Sequence, residues 1–301
     1  MIRKGGKGME KVMLKIKKDK RIKRNKKEIL LSILRDIFAI AITLFMVFPI
    51  YWMIISSLKT SEELLQAVPS LWPKKLMWRN YLDVLEMASF GVYFVNTIIM
   101  TLGTMVLQMV IGIFAAYGFS KGNFRFKNTL FIVVLGALMV PIQVTFVPTY
   151  VMMARLKWIN TFKALILPNA VSAYFIFMLR QAFMGVDNSY VEAAQVDGMG
   201  RIGVIFRILV PMCKPTIITV GLITFINGWN SYFWPKMVTT RPQMRTIALG
   251  VYELKRSYAG METMNTNQIM AGAVIAIVPI IILFLVMQQY LLEGFSKAAM
   301  K

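Results

Sequence analysis

Hydrophobic residues along this 301-residue chain are gathered in six long stretches that contain no charged side chain. These stretches are residues 37–58, 87–120, 128–154, 164–179, 215–235 and 263–292. Five of them are longer than the roughly 20 residues that a helix needs to cross the hydrocarbon core of a bilayer. The fourth is shorter, but Lys163 and Arg180 at its two ends have long side chains that can reach the membrane interface. The pattern predicts an all-α integral membrane protein with six transmembrane helices.

Five prolines fall inside these predicted spans, where the missing N–H group bends or breaks a helix. They are Pro49, Pro141, Pro148, Pro168 and Pro279. Two interpretations stay open. The bends line a path through the membrane, or they are ordinary bends in a packed helical bundle, since membrane helices tolerate proline.

Composition and charge agree with a membrane location, and they distinguish a basic N-terminal segment from an apolar remainder. Hydrophobic residues make up 57% of the chain and charged residues only 16%, which is too apolar for a soluble globular domain. The first 28 residues hold 13 basic and 3 acidic residues directly before a long apolar run. We therefore expect residues 1–28 to form a basic cytoplasmic tail that contacts membrane lipid and no nucleic acid, and residues 29–301 to form the six-span domain.

The distribution of lysine and arginine between the loops predicts the orientation of the chain. With the N-terminus inside, the cytoplasmic segments carry 21 basic residues and the outer segments carry 12. Basic residues near span ends are retained on the cytoplasmic side. Both termini are therefore predicted to be cytoplasmic.

Metal, thiol and nucleotide chemistry are disfavoured by the residues that are present. Cys213 is the single cysteine and the chain has no histidine, so an intrachain disulfide and an ordinary Cys/His zinc site are excluded. The one Gly-Lys dipeptide, Gly6-Lys7, is followed by Gly8, so the chain has no G-x-x-x-x-G-K-[ST] loop for phosphates. The sequence predicts no catalytic residue, no metal site and no cofactor.

Residues 185–214, between the fourth and fifth predicted spans, contain the strongest local signals. Ser189 and Glu192 have the S-x-x-E spacing of a capping box, which predicts that a short helix begins at Tyr190. Gly198 stands where such a helix ends on a residue with positive φ. A second helix is predicted up to Pro211, because hydrophobic residues follow at helical spacing: Ile202, Ile205, Phe206 and Leu209. The helix pair is either a docking surface or an interfacial pair lying on lipid headgroups.

This segment resembles the EAA loop of bacterial ABC importer permeases. Glu192-Ala193-Ala194 is followed after three residues by Gly198, and nine more residues separate Gly198 from Ile208-Leu209-Val210-Pro211. Elsewhere, Ser57-Leu58-Lys59-Thr60 and Gly228-Trp229-Asn230 look like the carbohydrate-uptake, maltose-permease-like branch. The resemblance extends over nearly all of residues 30–301.

The resemblance implies a type I ABC importer (MetI-like) permease fold in the bacterial plasma (inner) membrane. It implies a subunit without enzymatic activity that forms half of a path for sugars, with oligosaccharides as the expected class. The implied partners are a second homologous permease, two ATP-binding ATPase subunits and an extracytoplasmic solute-binding protein. The ATPases are expected to engage the EAA loop through Glu192, Ala193, Ala194, Asp197, Gly198 and Pro211.

Polar residues inside the predicted spans are the candidates for the substrate path. Asn96, Gln108 and Asn169 are among them, and the path is predicted to involve Gln143, Asn227, Trp229 and Asn230. The alternative is that the amides join helices by hydrogen bonds and that the aromatic residues form an interfacial belt. In the outer loop, Tyr252 to Tyr258 is predicted to reach toward the binding protein, or else is simply exposed to solvent.

Two other functions remain as alternatives. In the first alternative, the chain is a permease subunit for glycerol-3-phosphate or another small polar solute instead of a sugar. More distantly, the chain is a membrane-embedded enzyme, although it lacks the clustered acids or histidines that such chemistry needs. A secondary carrier is disfavoured because carriers place ionisable groups inside their spans.

Overall fold

The computed structural model describes residues 26–87, 89–257 and 265–299. All regular secondary structure in these residues is helical. The helices are α1 (Lys26–Ser57), α2 (Ser61–Leu64), α3 (Arg79–Met87), α4 (Phe90–Lys121), α5 (Lys127–Leu138), α6 (Ile142–Arg155), α7 (Phe162–Asn169), α8 (Ala173–Met184), α9 (Asn188–Val196), α10 (Arg201–Met212), α11 (Lys214–Trp229), α12 (Phe233–Val238), α13 (Ile247–Ser257) and α14 (Thr266–Ala299). The all-α prediction is confirmed. Residues 1–25, which make up most of the predicted basic tail, lie outside the described residues.

Three helices are long and apolar enough to cross a membrane without a break, namely α1, α4 and α14. Three further candidates are pairs of helices bent at a short break: α5 with α6 by 97°, α7 with α8 by 44°, and α10 with α11 by 84°. The described residues therefore contain three to six spans, with six reached if each bent pair is one span.

The third predicted span, residues 128–154, is not one continuous helix. It is divided between α5 and α6, and Pro141 is the N-cap residue of α6. Proline has no N–H group to donate to the preceding turn, and it disfavours helical geometry in the residue before it. By contrast, Pro49 and Pro148 lie inside α1 and α6 without ending them.

The fourth predicted span also differs from its expected form. It consists of α7 and α8, and α8 begins where the Ser172 side chain accepts a hydrogen bond from the Phe175 N–H at 3.2 Å. Arg180, which was expected to flank the span, lies inside α8. Its guanidinium is accommodated because Nε donates to the Phe119 carbonyl at 3.1 Å, at the end of α4.

Hydrogen bonds gather the loops of residues 55–301 at two ends, as an alternating topology requires. At one end, Ser61 donates to the Asn267 side chain at 3.1 Å, and Asn160 donates to Thr240 at 2.8 Å. At the other end, Lys121 at the end of α4 contacts the start of the predicted EAA loop. The second and fourth loops thus lie together, and the first, third and fifth loops supply the contacts at the opposite end.

Candidate functional site

The helix of the EAA loop, α9, begins two residues earlier than predicted. Asp187 is its N-cap residue, and the Asp187 carboxylate accepts a hydrogen bond from the Ser189 N–H at 2.9 Å. The predicted capping box with Ser189 as the cap is therefore wrong, because the charged Asp187 carboxylate is a stronger acceptor for the free amides of the first turn. The same hydrogen bond lowers the pKa of Asp187. The stabilisation by this cap is therefore fully present at pH values above the ordinary pKa of aspartate, and it is lost as the pH falls through the lowered pKa.

The end of α9 agrees with the prediction made for Gly198, whose φ is +78°. The C-cap residue is Asp197, and two hydrogen bonds close the turn after it. The Met199 N–H donates to the Ala194 carbonyl at 2.8 Å, and the Gly198 N–H donates to the Gln195 carbonyl at 3.0 Å. This pair of bonds is the Schellman arrangement, which requires a left-handed residue just after the helix.

The two faces of α9 have different surroundings. Val191 and Ala194 are buried, and they belong to a hydrophobic cluster that includes Phe183 of α8 and Leu209 of α10. Glu192, Ala193, Val196 and Asp197 are all exposed, Val196 to 88%. Ala193 and Ala194, which are both predicted to engage the ATPases, therefore lie on different sides of α9. One is available to a partner and the other holds the helix to its own chain.

The second helix of the loop, α10, departs from regular α-helical geometry. Residues Val204–Leu209 form a π-helical segment, and Val204, Ile205 and Leu209 are buried in it. A wider helical turn changes the buried face, so Ile202 and Phe206 are 67% and 47% exposed. The predicted amphipathic face is thus wrong for those two of its four residues.

Pro211 lies in the last turn of α10, which continues for one residue beyond it, to Met212. Cys213 then separates α10 from α11, at the bend of 84°. The predicted end of the second helix at Pro211 is therefore one residue early. A sharp bend at this point directs the chain from the EAA loop into α11, a helix of 16 residues.

Lys121 attaches α9 to α4, a role that the sequence did not indicate. Its Nζ donates to the Val186 carbonyl and to the Asn188 Oδ1 atom, both at 2.6 Å. These two residues flank the cap at Asp187. A lysine at the end of a long helix carries no distinguishing signal in a sequence, because cations are favoured there in any helix.

A polar cavity of about 320 Å³ lies among α4, α7 and α11. Its wall includes polar side chains from these three helices, from α8 and its N-cap, and from the residues just after α11: Thr104, Gln108, Asn169, Ser172, Tyr174, Thr224, Asn227 and Ser231. Gln108 joins the helices, since it donates to the Asn169 carbonyl at 2.6 Å and accepts from the Thr224 hydroxyl at 3.1 Å. Within the described residues, the cavity wall holds no aspartate, glutamate, lysine or arginine.

Of the four residues predicted for the substrate path, the structure places Asn227 on this cavity wall and the other three elsewhere. Gln143 is exposed next to Ile142, which does line the cavity. Asn230 is the exposed C-cap residue of α11. Gln108 and Asn169, which were noted only as polar span residues, lie on the wall with Asn227.

Trp229 is a packing residue of the core. It is 2% exposed, its ring stacks on Phe225 at 5.6 Å between centroids, and it meets Phe94 edge-on at 5.5 Å. Its indole N–H donates to the Ala276 carbonyl of α14 at 2.9 Å. Asn227 and Trp229 are two residues apart in α11, so the helical period turns their side chains to different faces and only Asn227 lies on the cavity wall.

We expect Trp229→Ala to destabilise the chain by about 3–5 kcal/mol, because the truncation leaves a large cavity and removes an interhelical hydrogen bond. Trp229→Phe retains most of the ring and is expected to cost much less. Thermal unfolding of the detergent-solubilised protein measures both. Equal midpoints for the alanine variant and the wild type would contradict the packing role.

Two other asparagines, Asn96 and Asn80, hold loops at the end opposite the EAA loop. Asn96, 5% exposed, donates to the carbonyls of Gln243 and Arg245 at 2.7 and 3.0 Å. Asn80 donates to the Ser57 carbonyl at 2.8 Å and accepts from the Asn267 amide at 3.1 Å. Both are buried cross-links between helices and loops, as the alternative interpretation of the amides proposed.

Tyr252 lies on the exposed side of α13, where its ring is 5.2 Å from that of Tyr232. The Lys236 Nζ atom is 4.5 Å from the centroid of the Tyr252 ring. A hydrogen bond with Tyr232 raises the pKa of Lys236. Tyr258, the last residue of the predicted Tyr252 to Tyr258 segment, lies outside the described residues.

Among the described residues, no group of three or more His, Cys, Asp or Glu side chains is placed to hold a metal ion.

Comparison with known proteins gives one family match and several full-length relatives. Residues 108–297 match the family described as binding-protein-dependent transport system inner membrane component. The arabinooligosaccharides transport system permease protein AraQ of Bacillus subtilis (strain 168) is 31% identical over 276 residues, covering 88% of this chain and 97% of that protein. The sn-glycerol-3-phosphate transport system permease protein UgpE of Yersinia pestis is 29% identical over 270 residues, covering 88% of this chain and 95% of that protein.

Among solved structures, the chain resembles part of a bacterial ABC transporter involved in the import of the acidic polysaccharide alginate. The TM-score is 0.78 at 22% identity, and the match covers 88% of this chain and 98% of that chain. A second match, with a TM-score of 0.61 at 16% identity, covers 86% of this chain and 93% of a chain of the alginate transporter bound to a periplasmic protein that holds an alginate pentasaccharide. At these identities the likeness shows the fold.

Proposed function

Because the chain belongs to the family of binding-protein-dependent transport system inner membrane components, we propose that it forms half of an import path for oligosaccharides. Within that family it is a permease subunit of an ABC importer, a multi-pass protein of the inner membrane that is not itself catalytic.

The uncharged polar cavity is the observation that carries the choice of solute. Hydroxyl groups of a neutral sugar exchange hydrogen bonds with amide and hydroxyl side chains, which Gln108, Asn227 and Ser231 supply. An anionic solute such as glycerol-3-phosphate needs a positive group to offset its desolvation, and this wall has none among the described residues. The relatives named for arabinooligosaccharides and for glycerol-3-phosphate have similar identity to this chain, so sequence identity does not choose between the two solutes, and the uncharged cavity supports the sugar.

Residues 185–214 are proposed as the surface that couples the chain to two ATPase subunits. Glu192, Ala193 and Asp197 face outward and are available for contact. Ala194 anchors α9 to the cluster shared with α4, α8 and α11, and Gly198 and Pro211 shape the turn and the bend. Movement of α9 by the ATPases would therefore reach α11, which lines the cavity, through packed side chains.

We infer the orientation of the chain from this proposed coupling surface. The end with α9 faces the cytoplasm, which makes both termini cytoplasmic. The opposite end, with α13 and Tyr252, faces a solute-binding protein outside the membrane. A second homologous permease completes the path, as the family resemblance implies.

We expect Asn227→Leu to reduce oligosaccharide uptake about fivefold or more, since one buried hydrogen bond to the solute is worth about 1 kcal/mol and the leucine also narrows the cavity. The assay is uptake of labelled arabinooligosaccharide and of glycerol-3-phosphate by proteoliposomes containing the full complex and its binding protein. Thr219→Val is the matched control, because Thr219 lies on the same helix and its hydroxyl, within the described part of the chain, donates only to the Pro215 carbonyl one turn earlier. Uptake of glycerol-3-phosphate in preference to the sugar would contradict the proposal.

A further inference from the structure

The loop between α4 and α5 contains a basic pocket that the proposed transport cycle does not use. An open cavity of about 530 Å³ lies there, lined on its polar side by Ser120, Asn123, Lys127, Asn128, Thr129 and Arg180. Its cations come from two elements, α5 and α8. Neither Lys127 of α5 nor Arg180 of α8 forms a salt bridge with a carboxylate in the part of the chain that the structure describes.

The two cations are held in fixed positions with donors left over. The Arg180 guanidinium carbon is 3.9 Å above the centroid of the Phe131 ring, and Nε is bound to the Phe119 carbonyl. This arrangement leaves the two terminal NH₂ groups of Arg180 for another acceptor. The Lys127 Nζ donates to the carbonyls of Ser120 and Gly122 at 2.9 and 2.8 Å, which leaves its third N–H.

The surroundings of the pocket are apolar and exposed. α4 ends at Lys121 and α5 begins at Lys127, so the pocket stands where two apolar helices leave the hydrocarbon region. Phe124 and Met184 line the pocket itself, and they are 42% and 50% exposed. Leu130, one turn into α5, is 48% exposed. A cationic floor with an apolar rim at this depth matches the charge and the shape of an anionic lipid.

We propose that this pocket binds the phosphate of an anionic phospholipid, with Arg180 and Lys127 as the phosphate ligands. The planar guanidinium offers two parallel N–H donors to two phosphate oxygens, and the lysine adds a single charged donor. Asn128 and Thr129 are placed to bond the headgroup, and the acyl chains lie against Phe124 and Leu130. The lipid would belong to the cytoplasmic leaflet if the proposed orientation of the chain holds. The phosphate site itself does not depend on that orientation.

The test is native mass spectrometry of the intact importer complex in detergent, titrated with phosphatidylglycerol, with phosphatidylcholine and with inorganic phosphate. The variants are Arg180→Gln, Lys127→Gln and Arg180→Lys, which keeps the charge but loses the paired donors. Arg125→Gln is the matched control, because it removes one charge from the same loop at a residue outside the pocket lining. Retention of the partner subunits in each variant shows that the complex is still assembled.

The wild type is expected to retain phosphatidylglycerol in preference to phosphatidylcholine. Arg180→Gln and Lys127→Gln are expected to lower that retention about tenfold, Arg180→Lys less, and Arg125→Gln less than twofold. If inorganic phosphate binds with the same dependence on Arg180 and Lys127 and displaces the lipid, the phosphate site stands and its source is a soluble anion. Retention of phosphatidylglycerol that is unchanged in both glutamine variants, or equal to that of phosphatidylcholine, would overturn the proposal.

Discussion

Replacing Gly198 by threonine is expected to reduce ATP-driven uptake about tenfold or more, through strain of about 1–3 kcal/mol at a single turn. Gly198 has a φ of +78°, a geometry that a β-branched residue adopts only as an outlier. Relief of the strain would break the bonds from Met199 to Ala194 and from Gly198 to Gln195 that close α9. The outward face of α9 would then no longer be held in one orientation relative to α10.

Gly200 provides the matched control for this prediction. It lies two residues further along the same turn, its φ is −69° and its ψ 164°, and a Cβ atom added there meets nothing within 4 Å. Threonine is about as acceptable as glycine at this N-cap position, so Gly200→Thr is expected to retain uptake within about twofold. Proteoliposome uptake at equal amounts of assembled chain is the measurement. Equal losses for the two variants would show that the loop, and not the left-handed turn, is sensitive.

Ala193→Arg is expected to leave the chain folded and to release the ATPase, whereas Ala194→Arg is expected to damage the chain itself. Ala193 is exposed on α9, so an arginine there is solvated until a partner covers it. A partner that packs against alanine has no room for an arginine side chain, and desolvating its charge adds a cost even beside Asp197, so ATPase retention is expected to fall by about 30-fold or more. Ala194 is 6% exposed inside the shared cluster, and no water is available there to an arginine.

Two quantities separate these outcomes: the amount of chain in the membrane, and the ATPase that co-purifies with it in mild detergent. Ala193→Ser serves as the conservative control and is expected to retain both. If Ala193→Arg keeps the ATPase at the wild-type level, α9 does not meet it through this face. In that case an interfacial position of the helix pair on lipid headgroups becomes the better account.

The sequence predicts a span correctly where one continuous apolar helix crosses the hydrocarbon, and it does not predict where a helix breaks within a span. Uncharged stretches located α1, α4 and α14 because continuous apolar length is what a bilayer demands. The same criterion treated residues 128–154 as one helix, although Pro141 divides it by a bend of 97°. Proline elsewhere does not end a helix, as Pro148 inside α6 shows, so a proline in the sequence does not by itself predict a break.

At the candidate site, sequence located the segment but not the directions of its side chains. The left-handed turn at Gly198 follows from one residue type and was predicted correctly. The π-helical segment in α10 buries Val204, Ile205 and Leu209 together, a pattern that a 3.6-residue period does not reveal. For the same reason Trp229 was expected on the path with Asn227, and only the tertiary structure separates the two.

Cysteine cross-linking from Val196 tests the coupling surface most directly, because this side chain is 88% exposed on α9. The native Cys213 is first replaced by serine, so that the only thiol in the chain is the introduced one. Val196→Cys and, at the opposite end, Tyr252→Cys are then treated with a short bifunctional reagent in native membranes. We expect a covalent product with the ATPase from Val196→Cys and none from Tyr252→Cys. Cross-linking of the ATPase from position 252, or no ATPase product from position 196, would contradict the proposed coupling surface.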